Sequence, residues 1–274
     1  MRRTCYAYPY LVWMVIFIVV PLFLLLFYTF TVNTAEGIRF TLEHIKRIWE
    51  PIYLMVLLRS ILLALICTVV CLLIGYPVAL ILSSKEYSQN RVLAMLFVIP
   101  MWINFLVRTY AWMSLLGKNG VIDMVMNFLR LPSIQLLYTD QAVVLGMVYN
   151  FLPFMVLPIY SVLAKMDKSI IEAAQDLGAD YITVLKRVII PLSLPGVISG
   201  ITMVFMPAVT TFIISRLLGG GQYILIGNLI EQQFIVVGDW NFGSAISFVL
   251  MVIILITMGI MRKYDKEYEG GAIW

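Results

Sequence analysis

The chain has 274 residues, of which 62% are hydrophobic and 12% charged, with a formal net charge of +4; soluble domains run at roughly 45–50% and about 25%. A soluble fold cannot cover that much apolar side chain, and so small a net charge, carried in the loops, points to no particular ligand. The apolar residues must be gathered into spans, each needing about 20 mostly apolar residues to cross a bilayer.

Between successive charges, six runs of that length occur. The first, about 8–30, follows Arg2 and Arg3. It is longer than the roughly 7–15 residues of a signal-peptide core and no small-x-small cleavage site follows, so it reads as an uncleaved first span. A fairly basic loop with Arg39, Lys46, Arg47 and the single histidine, His44, leads to the second run, about 57–83, bounded by Arg59 and Lys85. Cys67 and Cys71 lie one helical turn apart within it and, with Cys5, have neither metal nor disulfide spacing; they read as apolar filler. The third run is about 92–116, with Arg108 snorkelling near its outer end. The fourth, fifth and sixth are about 142–164, 192–215 and 242–261, so residues 1–274 read as one transmembrane domain. An even number of spans puts both termini on one side. The Lys and Arg bias makes that side cytoplasmic, since it then holds Arg2, Arg3, Lys85, Arg91, Lys165, Lys168, Lys186, Arg187, Arg262, Lys263 and Lys266.

Pro77, Pro100, Pro153, Pro158, Pro195 and Pro207 lie in or near spans, where a proline frees carbonyls that neighbouring helices or a cavity must satisfy. Rearrangeable helices follow from this, although prolines are commoner in membrane helices generally. Trp102, Asn104, Tyr110, Trp112, Tyr149, Asn150 and Phe154 cluster toward the outer ends of spans three and four. Aromatic faces there suit an ammonium ion and equally an interfacial aromatic belt; the two amides need a partner or a water-lined cavity. No Asp or Glu lies within the six cores. A cation path would then use aromatics, carbonyl dipoles, rim acids such as Asp123, Asp140, Glu231 and Asp239, or another subunit. The segment 217–240, with three consecutive glycines, reads as a folded-back element at the mouth. Its GGGQ is not a nucleotide site, because no G-x-x-x-x-G-K-[ST] loop occurs anywhere. The chain therefore has no ATPase site of its own, and an intramembrane enzyme lacks material: His44 is in a loop and no acid pair or metal-ligand cluster falls at membrane depth.

The loop 165–191 carries Glu172, Asp176, Asp180, Lys186 and Arg187, and each charge at a bilayer centre costs about 2.5–3.5 kcal/mol. It must lie in water or against protein. Ser169 and Glu172 have capping-box spacing. Ile170, Ile171, Ala174, Leu177, Tyr181, Val184, Leu185 and Val188 recur at helical intervals as one apolar face, beside an acidic stripe of Glu172, Asp176 and Asp180. Gly178 ends one helix and Asp180 caps the next, with Pro191 marking the start of the fifth span, so the pattern predicts two short helices joined at a turn. An amphipathic loop lying on lipid or on its own bundle would show the same pattern.

Glu172, Ala173, Ala174, Gly178, Val188, Ile190 and Pro191 reproduce the spacing of the EAA loop of binding-protein-dependent ABC importer permeases, with Val and Ile where Ile and Leu are usual. The chain resembles that family, and IGYPVALIL (74–82), VIPMWINFLVRTYAW (98–112), the stretch 150–179 and LLGGGQYILIGNLIEQQF (217–234) resemble its spermidine/putrescine branch. The resemblance implies an all-α polytopic protein with the six transmembrane helices of the type I importer fold and a cytoplasmic coupling-helix pair. It implies ATPase coupling by Glu172, Ala173, Ala174, Asp176 and Gly178. A translocation path near Trp102, Asn104, Tyr110, Tyr149, Asn150 and Phe154 would be shared with a second permease subunit, and an external binding protein would be met near Gly220, Gln222, Tyr223 and Asp239. ATP and magnesium belong to a separate ATPase dimer, and this chain holds no cofactor or metal and meets membrane lipid but no nucleic acid. Thiamine, sulfate and ferric iron permeases share the loop; a passive channel would need no ATPase.

Overall fold

The computed structural model describes residues 8–34, 37–84, 99–118, 120–130, 132, 135–222 and 224–270. In chain order these form α1 (Tyr8–Met14), a π-turn (Val15–Val19), α2 (Val20–Phe30), β1 (Thr31–Thr34), β2 (Gly37–Phe40), α3 (Glu43–Ile48) and α4 (Pro51–Ser83). Then come α5 (Phe105–Leu116), α6 (Val121–Phe128), α7 (Asp140–Lys165), α8 (Lys168–Asp176), α9 (Tyr181–Val184), a second π-turn (Leu185–Ile189) and α10 (Ile190–Thr210). The last are α11 (Ile213–Leu218), α12 (Ile226–Glu231), a third π-turn (Gln232–Val237) and α13 (Trp240–Gly270).

The fold is all-α and polytopic. Among the described residues, Tyr10–Phe30, Pro51–Ser83, Asp140–Lys165, Tyr181–Thr210 and Trp240–Met261 are long and apolar enough to cross a membrane. The remaining expected span starts at residues 92–98, which lie outside the described residues. From residue 99 on it is not one rod: the helix stops at Trp102 and α5 begins after Asn104, whose side chain accepts the Leu106 N–H at 2.8 Å as an N-cap.

Two boundaries depart from the sequence reading. α4 begins at Pro51, a residue pre-shaped for a first helical position, rather than near Leu57. The fifth span begins at Tyr181, not near Leu192, because α9, the second π-turn and α10 form one continuous helix ending at Thr210. Pro191 does not interrupt it. A proline clashes with the carbonyl four residues back, and the widened turn just before it, closed by the Ile190 N–H on the Leu185 carbonyl, relieves that clash. The first span repeats the device, with the Val20 N–H on Val15 O just before Pro21.

The chain divides into two compact units, residues 1–58 with 226–256 and residues 59–225 with 257–274. The first contains a β-hairpin absent from the sequence reading, paired antiparallel from Thr31↔Phe40 to Thr34↔Gly37. Asn241 donates to the Tyr28 and Thr31 carbonyls at 3.0 and 2.6 Å, capping the end of α2. The Arg47 guanidinium lies 4.2 Å from the Phe242 ring centroid and donates to Tyr53 Oη and Asp239 Oδ2 at 3.1 and 3.4 Å.

The core of the second unit is the α7–α10 contact. A Cβ at Gly196 would sit 2.9 Å from the Pro158 carbonyl oxygen, and one at Gly200 2.8 Å from Met155 Sδ. Glycine there permits the close helix approach on which membrane packing depends. Fully buried Met155 also borders Gly75, and Tyr76 Oη meets the buried Ser193 hydroxyl at 2.9 Å, tying α4 to α10.

Candidate coupling site

The segment between α7 and the fifth span is built from its caps. The Asp167 carboxylate accepts the Ser169 N–H at 3.0 Å and caps α8. The predicted Ser169–Glu172 capping box is therefore corrected. Asp167 competes for the same free N–H groups with a charged acceptor, which binds them more strongly than a hydroxyl, and Ser169 becomes the second helical residue. Bonds from the Ser169 backbone and side chain hold the Asp167 carboxyl below the usual carboxylate range.

Gly178 ends α8 with φ +84°. Its N–H donates to Gln175 O at 2.8 Å and the Ala179 N–H to Ala174 O at 3.1 Å, the paired bonds of a Schellman cap. Asp180 then occupies the N-cap position of α9, its carboxylate taking the Thr183 hydroxyl, which holds its pKa below the ordinary value. The two elements of the predicted pair exist, but the second is the first turns of the fifth span.

The expected apolar face is divided. Val184 is buried and Ile171, Ala174, Leu185 and Val188 are half-buried, whereas Leu177 and Tyr181, with Ile182 from outside the predicted face, are 89%, 66% and 57% exposed. These three project around Gly178, next to exposed Glu172, Ala173, Asp176 and Asp180. Beneath them a cavity of about 510 Å³ opens between the ends of α4 and α7 and the inner face of α8, lined by Ser83, Ser84, Met166, Glu172, Gln175 and Tyr181 among others. The arrangement presents apolar knobs and carboxylates on a turn closed by the paired bonds at Gly178 and Ala179.

The other predicted residues are dispersed. Trp102 is 82% exposed, Tyr110 and Tyr149 are 50% and 39% exposed, and the Tyr149 ring packs edge-on against Trp112 at 5.3 Å. Phe154 is half-buried and Asn104 serves as the α5 cap. Asn150 is buried; its amide donates to Gly146 O at 2.8 Å and its Oδ1 has no partner among the described residues. Nε and Nη1 of Arg108 are likewise buried without partners among the described residues. Gly220 is seated on the Tyr138 ring with φ +61°, Gln222 donates its N–H to Gly219 O at 3.2 Å, and Tyr223 lies outside the described residues. Asp239 caps α13 through the Phe242 N–H at 3.0 Å besides meeting Arg47. Asp140 receives Arg59 at 2.7 Å on both oxygens. Two of the predicted rim acids are thus engaged by arginines.

Residues 72–269 match the model of the family described as binding-protein-dependent transport system inner membrane component. The chain is 39% identical over 266 residues, 94% of its length and 97% of the relative's, to the spermidine/putrescine transport system permease protein PotB of Escherichia coli K12. It is 37% identical to the protein of the same name from Haemophilus influenzae, over 93% of this chain and 91% of that one. Its fold superposes with a TM-score of 0.74 at 16% identity, covering 95% of both chains, on a chain of a bacterial ABC transporter that imports alginate. The chain is a multi-pass membrane permease and belongs to the binding-protein-dependent transport system inner membrane component family.

Proposed function

We propose that the chain is one permease subunit of an ATP-driven polyamine importer, oriented with both termini in the cytoplasm and coupled to a separate ATPase through residues 167–182. The observation that carries the coupling role is the exposed trio Leu177, Tyr181 and Ile182 around the Gly178 turn, ringed by Glu172, Asp176 and Asp180. An apolar patch of this kind marks a docking surface, and the acids suit a basic rim on the partner. Ala173 and Ala174 allow close approach. ATP and magnesium are bound by that partner, a second permease subunit completes the path, and an external binding protein delivers the solute near Gly220, Gln222 and Tyr223.

Spermidine or putrescine as the solute rests on the likeness to the two PotB proteins along nearly the whole chain. The path on this side uses Trp102, Tyr110, Tyr149, Asn150 and Phe154, aromatic faces and amide oxygens that hold ammonium groups without a buried carboxylate. With Asp140 and Asp239 on arginines, further negative charge for a polycation comes from the other subunit. The test is ATP-dependent uptake of radiolabelled spermidine and putrescine into vesicles holding the assembled transporter, competed by thiamine, sulfate and ferric iron. Saturable polyamine uptake abolished by Glu172→Lys is expected. Transport of a competitor in its place would discard the substrate, and unchanged uptake in the Glu172 variant would discard the coupling site.

A further inference from the structure

The helix α6, between the third and fourth spans, has its amphipathic pattern turned outward. Ile122, Asp123 and Met126 are half-buried, with Ile122 and Asp123 lining a cavity of about 310 Å³ together with Leu116, Gly117, Gln135, Leu136 and the exposed Lys118, which stands at its edge. The opposite face carries Val121, Met124, Val125 and Phe128, which are 55%, 62%, 51% and 86% exposed. Their one-, three- and four-residue spacing makes a continuous apolar stripe on the side that the described residues leave uncovered.

Only residues 117–120 separate α5 from α6, and the Gly120 N–H donates back to Gly117 O at 2.8 Å. Four residues extend at most about 14 Å, and this turn extends less, so α6 stays at the depth where the third span leaves the hydrocarbon. Basic residues flank both ends, Lys118 before it and Arg130 after it. Arg130 adopts φ +56° in the position where glycine normally ends a helix, and its side chain is exposed.

We infer that α6 is an interfacial anchor lying in the leaflet on the side opposite the coupling loop. Val121, Met124, Val125 and Phe128 rest among the upper acyl carbons, and Lys118 and Arg130 take phospholipid phosphates. An apolar stripe in the plane of the interface with cations at headgroup level is how helices lie on membranes. It would brace the outer end of the third span without crossing the bilayer.

The test uses the assembled transporter in nanodiscs of phosphatidylethanolamine and phosphatidylglycerol. Cys5→Ser removes one native thiol, Cys67 and Cys71 being buried, and nitroxides are placed singly through Met124→Cys, Phe128→Cys and Asn127→Cys. Collisions with oxygen should exceed those with a nickel chelate at 124 and 128, and the order should reverse at 127 on the exposed polar edge. The label at 128 should become shallower in the Lys118→Gln, Arg130→Gln background. Nickel reaching 124 and 128 as readily as 127 would overturn the anchor, as would protection that arises only when the binding protein is added, which would make the stripe a protein-docking face. An unchanged depth in the double variant would overturn the phosphate contacts.

Discussion

Replacing Gly178 separates the geometry of the coupling turn from its contacts. A Cβ at this position meets nothing within 4 Å, so steric collision contributes nothing and the whole effect comes from φ +84°. Holding an L-residue in that left-handed conformation costs about 1–2 kcal/mol, which corresponds to a factor of roughly 5–30 in the population of the native turn. Asn tolerates the conformation better than Ala, and a β-branched residue tolerates it least. The expected order of damage is therefore Gly178→Asn, then Gly178→Ala, then Gly178→Val. α8 keeps its Asp167 cap and α9 is continuous with the fifth span, so the damage should appear as weaker docking of the ATPase subunit and not as unfolding. The assay measures affinity of the ATPase subunit for the permease pair in nanodiscs, alongside thermal stability of the permease pair alone. Three variants with the same affinity as the parent, or an affinity loss matched by a fall in stability, would refute the reasoning.

Gly200→Val forces extra methyl groups against Met155 at the α7–α10 contact; overpacking of this kind costs about 1–3 kcal/mol, and a lowered Tm in detergent is expected. Arg47→Met keeps the apolar stem but removes the bonds to Tyr53 and Asp239 and the charge over Phe242; hydrogen exchange over residues 41–53 should quicken, while Arg47→Lys restores part of the protection. Asp167 and Asp180 both have pKa values held below the ordinary one. Their contribution is present above the unfolded-chain value, roughly 3.9, and is lost as pH falls through the lower folded values. Amide protection of residues 168–184 should therefore be flat near neutrality and fall only in acid, and Asp167→Asn with Asp180→Asn should remove that acid step.

Five of the six membrane spans were legible because twenty apolar residues between charges have few other physical outcomes, and the turn at Gly178 was legible because glycine and carboxylates mark turns and caps at fixed offsets. What the pattern hid has specific causes. Ser169 and Asp167 are both good caps two residues apart, and only the backbone geometry decides between them. Pro191 looked like a boundary, yet a π-turn lets the helix pass it, and the compensating turn has no residue signature of its own. The hairpin at 31–40 rests on two four-residue strands, too short for alternation to stand out. The rim acids Asp140 and Asp239 read as free charges because their arginine partners are distant in sequence, 81 and 192 residues away.

The continuity of Tyr181 with Thr210 changes how a push on the coupling loop would travel. A separate second coupling helix would hand motion to the fifth span through a flexible joint at Pro191. Here Tyr181 and Ile182, the exposed knobs, stand on the same helix as Gly196 and Gly200. That helix is clamped to α7 by contacts with no slack for a Cβ, and close-packed surfaces shift as units instead of deforming smoothly. The π-turn at Leu185–Ile189 is then the place where bending can occur, because its wider hydrogen-bond ring makes it the least regular stretch between the knobs and the clamp. Pressure at Tyr181 would therefore reach the α7–α10 clamp along one continuous helix, with any bend confined to the turn at Leu185–Ile189.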